Sequence, residues 1–126
     1  MNEQNILLRN INDSIFNKQE SGWEKSKNSL SELVEKIRAK NAKPVIVFIP
    51  FIEILEDRET SDQKLKLIKE FAKEKNVPVI DPSDAIVEIE NKGKKLYYRT
   101  FDTHTNAQGD EVIAEEISKN WDRIGD

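Results

Sequence analysis

The sequence predicts an α/β domain built on a short parallel sheet with helices packed against it. Two short apolar, β-branched runs, "VIVFI" at Val45 to Ile49 and "VPVI" at Val77 to Ile80, alternate with segments of helical periodicity. Such alternation implies parallel strands joined by right-handed helical crossovers, and so a three-layer α/β/α arrangement. At 126 residues the chain has the size of one domain, residues 1–126.

The elements follow in chain order. Leu7 or Leu8, Ile11 and Ile15 fall at helical spacing between Glu3 and Phe16, and Asn17 to Gly22 read as a polar break. Residues 1–22 therefore stand apart from the α/β pattern of residues 23–126. From Trp23 to Asn41, Leu30, Leu33, Val34 and Ile37 mark the apolar face of an amphipathic helix. The continuous run Val45 to Ile49, flanked by Pro44 and Pro50, predicts a central strand buried on both faces. "FIEILEDRETSDQ" follows as a loop, with Thr60 or Ser61 able to cap a helix carrying Leu65, Ile68, Phe71 and Ala72.

A second strand at "VPVID" leads into a helix from Pro82 to about Asn91, with Asp81 as cap, Pro82 in its first turn and Gly93 beyond its end. "KKLYYRTFD" reads as a short extended segment. Val112, Ile113, Ile117, Trp121 and Ile124 then form the stripe of a last helix. Only two strands emerge, where open α/β sheets usually have about five or six. The sheet is either fuller than the pattern shows or part of a larger one.

Composition narrows the function. Lys and Arg number 20 against 24 Asp and Glu, and no basic stripe interleaved with aromatics occurs, so nucleic acid is not an expected partner. No cysteine is present, which removes disulfides, thiolate nucleophiles and cysteine-based zinc sites. No apolar run approaches a membrane span, and "MNEQNILLRN" lacks the layout of a signal peptide, so the chain reads as soluble in an unspecified compartment. "EDRE" at Glu56 to Glu59 and "EIE" at Glu88 to Glu90 have no metal-ligand spacing and read as solvated faces. A metal at His104 with Asp102 and Asp110 would need further ligands from elsewhere. Trp23 and Trp121 read as core or boundary packing.

One constellation carries chemistry. The chain's one histidine, His104, stands two residues after Asp102 in a polar loop before the last helix. A carboxylate accepting a hydrogen bond from one imidazole nitrogen fixes the tautomer and leaves the other nitrogen to take a proton from a hydroxyl. The same stretch also reads structurally: in "TNAQ", Thr105 can cap the helix with Gln108 reciprocating, leaving Asp102 and His104 as loop residues.

"DTHTNAQGDEVIAEEI" resembles the last motif block of the SGNH, or GDSL, superfamily of serine esterases and O-acetyltransferases. Asn106, Gly109, Ile113 and Ala114 match that block beside Asp102 and His104, and "VIVFIP" and "VPVID" resemble the family's fourth and fifth strands. The resemblance runs from about Trp23 to Trp121 and implies the C-terminal half of a flavodoxin-like hydrolase domain. It implies His104 as general base, Asp102 as its orienting acid, an ester or acetylated carbohydrate as substrate, and no cofactor. The commoner family spacing, Asp-x-x-His, would put the acid at Phe101; the Asp-x-His spacing here is like that of some members.

The family's nucleophile and oxyanion blocks have no counterpart. None of the four glycines, Gly22, Gly93, Gly109 and Gly125, lies in such a block, and Ser29, Ser31, Ser61, Ser83 and Ser118 all fall on or near helices. The chain is then expected to be inactive alone and to need a complementing chain. The alternatives are a non-catalytic binding or interaction module, or a homodimer formed through open sheet edges. "FIPFIEIL" can line an acyl pocket, cover core, or meet a missing half.

Overall fold

The computed structural model describes residues 21–125. The helix expected over Glu3 to Phe16 lies outside the described residues. In chain order the elements are α1 (Ser21–Ala39), β1 (Ile46–Val47), a short 3-10 helix (Ile52–Leu55), α2 (Arg58–Lys75), β2 (Val79–Ile80), α3 (Ser83–Asn91) and α4 (Ala107–Gly125). The chain is thus mostly helical around a two-stranded parallel sheet, with Ile46 opposite Val79 and Val47 opposite Ile80. Gly22, expected in a polar break, is already inside α1.

β1 departs from its expected burial. The Ile46 N–H donates to Pro78 O at 3.0 Å and the Phe48 N–H to Ile80 O at 2.9 Å. Alternate backbone groups point to opposite strand edges, so Val45, Val47 and Ile49 turn theirs away from β2. Among the described residues no strand pairs with that edge. β1 is therefore an edge strand, half-buried at Ile46 and Val47, and Ile49 at its end is 56% exposed. The long apolar run predicted central burial; the single pairing partner prevents it.

Two apolar clusters hold the helices. Trp23 and Val34 of α1 meet Phe71 and Ala72 of α2 and Val77, with Ile46 and Val79 at the margin. Ile54, Ile86, Leu96, Tyr97, Val112 and Ile113 form the other, with Val47, Ile52 and Leu55 against it. Each fully buried Leu, Ile, Val or Phe side chain contributes roughly 1.5–3 kcal/mol, so these stripes, rather than helix propensity, stabilise the helices. Trp23 is core as expected, but Trp121 is exposed.

Helix ends are set by polar side chains. Asp57, and not Thr60 or Ser61, caps α2: its carboxylate accepts from the Thr60 N–H at 3.0 Å and the Thr60 hydroxyl at 2.7 Å. The helix starts earlier than its apolar stripe, which places Ser61 inside it and buries it. Asp81 accepts from the Ser83 N–H at 3.0 Å, but the cap position falls on Pro82 and α3 begins one residue later than expected. Gly93, at φ 97°, ends that helix in a conformation that L side chains rarely adopt.

Candidate functional site

After α3 the chain forms a narrow loop that returns on itself. Tyr97 and Thr105 make an antiparallel bridge, the Tyr98 N–H donates to His104 O at 3.0 Å, and the Asn106 N–H donates to Leu96 O at 2.9 Å. Glu90, at the end of α3, anchors the outgoing arm. Its Oε1 accepts from the Leu96 N–H at 2.7 Å, and both its oxygens accept from Arg99 Nη2 at 2.7 and 2.6 Å. Glu90 is largely buried, so the reading of "EIE" as a solvated face fails at this residue. A carboxylate holding an otherwise orphaned N–H and a guanidinium is a strong local clamp.

Tyr97 ties the loop to the end of β1. Its hydroxyl donates to Pro50 O at 2.8 Å in a buried setting, and burial pushes the phenol well above its ordinary titration range. Replacement by phenylalanine leaves Pro50 O without that donor. Tyr97→Phe is expected to lower stability by about 1–2 kcal/mol, read as a lower urea midpoint at unchanged slope.

The loop brings Asp102 and His104 together. Asp102 Oδ1 lies 2.5 Å from His104 Nδ1 and also accepts from the His104 backbone N–H at 2.9 Å. The second contact is a local Asx turn, which positions the carboxylate before any packing acts on it. The His104 backbone N–H first, and its imidazole second, hold the Asp102 carboxyl below the usual carboxylate range. The sign follows: the charged form is favoured in the fold, so its contribution is complete above the ordinary range and is lost as pH falls through the depressed value. Both side chains face solvent, at 84% for His104 and 52% for Asp102.

The helix behind the pair begins one residue later than "TNAQ" suggests. Asn106, and not Thr105, caps α4: its Oδ1 accepts from the Gly109 N–H at 2.9 Å while its Nδ2 donates to Lys95 O at 2.9 Å. With the cap at Asn106, the third helical residue is Gly109 rather than Gln108, so no capping box forms. The Thr105 hydroxyl instead donates to Asp110 at 2.6 Å, which turns Asp110 away from any role beside His104.

No serine completes the pair within the described residues. Ser61 and Ser83 are buried on α2 and α3, and the Ser83 hydroxyl has no hydrogen-bond partner. Nor does any group of three His, Asp or Glu able to hold a metal occur among the described residues. No helix there is long and apolar enough to cross a membrane. Comparison with protein-family models, with curated proteins and with solved structures finds no match.

Tyr97, Glu90 and Arg99 had no sequence signal. The clamp joins residues six and nine apart across an irregular turn, where neither helical nor strand spacing applies. "FIPFIEIL" divides: Ile54 is core, Ile52 and Leu55 pack on it, and Ile49 and Phe51 stay exposed.

Proposed function

We propose that Asp102 and His104 are the acid and base of a serine-type acyl-transfer site, in a domain related to the C-terminal half of an SGNH hydrolase. The observation that carries this reading is the 2.5 Å contact between Asp102 Oδ1 and His104 Nδ1 on an open loop. Asp102 accepts a hydrogen bond from Nδ1–H, so the lone pair at Nε2 is free. Nε2 takes the proton of an attacking hydroxyl and returns it to the departing alkoxide of an ester, such as an acetylated carbohydrate. No cofactor takes part.

The nucleophile comes from a complementing chain. Serine and oxyanion donors supply most of the acceleration in such sites, so the pair by itself achieves little. A three-layer domain is part of the proposal. Successive strand side chains point to opposite faces, and the membership of Ile46 in one cluster and Val47 in the other supports helices on both sides.

Imidazole nitrogen NMR tests the pair. The neutral ring is expected as the Nδ1–H tautomer. Asp102→Asn is expected to shift it toward the Nε2–H form that free histidine prefers. A wild-type ring already in the Nε2–H form would overturn the acid–base assignment. With p-nitrophenyl acetate the chain alone is expected to show no turnover beyond that of free imidazole; higher turnover, lost in His104→Ala, would show that the chain carries its own nucleophile.

A second reading, a non-catalytic interaction module, is favoured by one observation. Tyr98 and Phe101 stand exposed beside the pair, with Phe101 almost fully in solvent, a pattern of aromatic side chains suited to protein contacts. The tautomer experiment separates the two readings, because an interaction surface has no need of a fixed Nδ1–H.

A further inference from the structure

The outer edge of β1 is a row of strand donors and acceptors. The Ile46 and Phe48 N–H groups donate to β2, so those of Val45, Val47 and Ile49 point outward, and among the described residues no strand meets them. A pocket of about 190 Å³ opens beside Ile46, Val47, Phe48 and Ile49, which leaves space along the strand. Ile49 and Phe51 carry exposed apolar side chains at its end.

Natural sheet edges are commonly guarded by charges or by proline. From Pro44 to Ile52 this run has no charged residue. Its prolines do not guard the edge either. Proline acts there by removing the N–H that would pair, and Pro44 and Pro50 fall on the same alternate as Ile46 and Phe48, whose N–H groups face β2. An unguarded edge of this kind suits another strand, because a helix or a bilayer surface has no free backbone groups at strand spacing. The run is also symmetric about Val47: Pro44 and Pro50 stand three residues to either side, and between them Val45 mirrors Ile49 and Ile46 mirrors Phe48.

We infer that β1 and its flanking residues pair with the same run of a second copy, antiparallel, across a two-fold axis at Val47. In that register Val47 faces the partner's Val47, and Val45 faces the partner's Ile49. Each of these pairs exchanges two hydrogen bonds, about six across the seam. The exposed Ile49 gains the partner's Val45 as a cross-strand neighbour on its own face, an apolar pair of the kind that stabilises sheets, and no like charges come together within the run. The sheet then has four strands in the order β2, β1, β1, β2, a common size. At one hydrogen bond per 100–200 Å², the seam corresponds to roughly 600–1,200 Å² of buried surface, the low end for specific interfaces, so the dimer is weak. The pairing does not rest on the Asp102–His104 reading: a complementing chain that seats on the same edge competes with the second copy, and one that seats elsewhere does not.

The test is sedimentation and amide hydrogen exchange of the full chain over about 10–1,000 µM, the range suited to an interface this small. The average mass is expected to rise from that of one chain toward that of two. The Val47 and Ile49 amides are expected to gain protection as it does, while those of Ile46 and Phe48 are protected throughout. Ile49→Pro removes an outward N–H at an exposed position without touching a bond to β2, and is expected to weaken association at least about tenfold. Unchanged amide dispersion at the Asp102–His104 loop shows that the variant is folded. Crosslinking reads the register, since the chain has no cysteine. Val47→Cys sets two thiols on residues with Cα atoms about 5.5 Å apart, within disulfide reach, whereas Val45→Cys sets them about 14 Å apart. Only the first is expected to oxidise to a disulfide dimer. A chain that stays monomeric throughout, undiminished association of folded Ile49→Pro, or faster crosslinking of Val45→Cys than of Val47→Cys would each overturn the inference.

Discussion

Gly109→Ala is expected to destabilise the domain by about 2 kcal/mol, against the usual direction for glycine within a helix. Alanine at an unconstrained helical position stabilises by about 1 kcal/mol relative to glycine. Here a Cβ would lie 2.3 Å from Leu96 O, 3.1 Å from Thr105 Cβ and 3.2 Å from Leu96 C. The oxygen cannot simply move, because it accepts from the Asn106 N–H at 2.9 Å. Relief requires the start of α4 to lift off the Leu96 strand-like arm, and overpacking of this kind costs about 3 kcal/mol or more. The clash outweighs the propensity gain.

The same displacement reaches the site. Lifting α4 strains the Asn106 contacts and the Tyr97–Thr105 bridge that hold the His104 loop in register. A urea midpoint that falls, accompanied by broadened His104 signals, is the expected result. Gly93→Ala is the internal comparison: nothing lies within 4 Å of its added Cβ, so only the backbone strain of φ 97° opposes it. A Gly109→Ala variant more stable than the parent would show that the close approach is not maintained in solution.

Helical periodicity in the sequence reaches the structure with ends displaced by a few residues. Leu30, Val34 and Ile37 mark α1, although Leu33 of the same expected stripe is exposed, and Leu65, Ile68, Phe71 and Ala72 mark α2, because apolar stripes are set by local spacing. Caps were misplaced where several suitable residues stand together. Asp57, Thr60 and Ser61 all have capping chemistry, and so do Thr105 and Asn106; tertiary position chooses among them, and spacing does not record it. Strand burial failed for a different reason. "VIVFI" has the composition of a central strand, but whether it is central depends on pairing partners, which a run of five residues does not encode.

At the site, the contact of Asp102 with His104 was legible because an Asx turn spans a single intervening residue, Thr103, and needs no distant contact. Glu90, Arg99 and Tyr97 were not, since their partners are chosen by how α3, the returning loop and β1 meet. Lys64 on α2 was not legible as a buried cation either, because its partner Glu53 is brought to it only by the 3-10 helix.

That long-range pairing carries the largest expected effect. Lys64→Met leaves the Glu53 carboxylate largely buried against apolar neighbours without its ammonium, and is expected to cost about 3–5 kcal/mol. Such a loss is a large part of the roughly 5–15 kcal/mol that typically holds a domain of this size. Replacing both residues, Glu53→Met with Lys64→Met, removes the two charges together, so the double variant is expected to lie within about 1 kcal/mol of the parent or above it. The strong non-additivity, measured as a double-mutant cycle in urea, is the signature of a directly paired, desolvated couple. Additive losses would mean that each side chain acts through other neighbours.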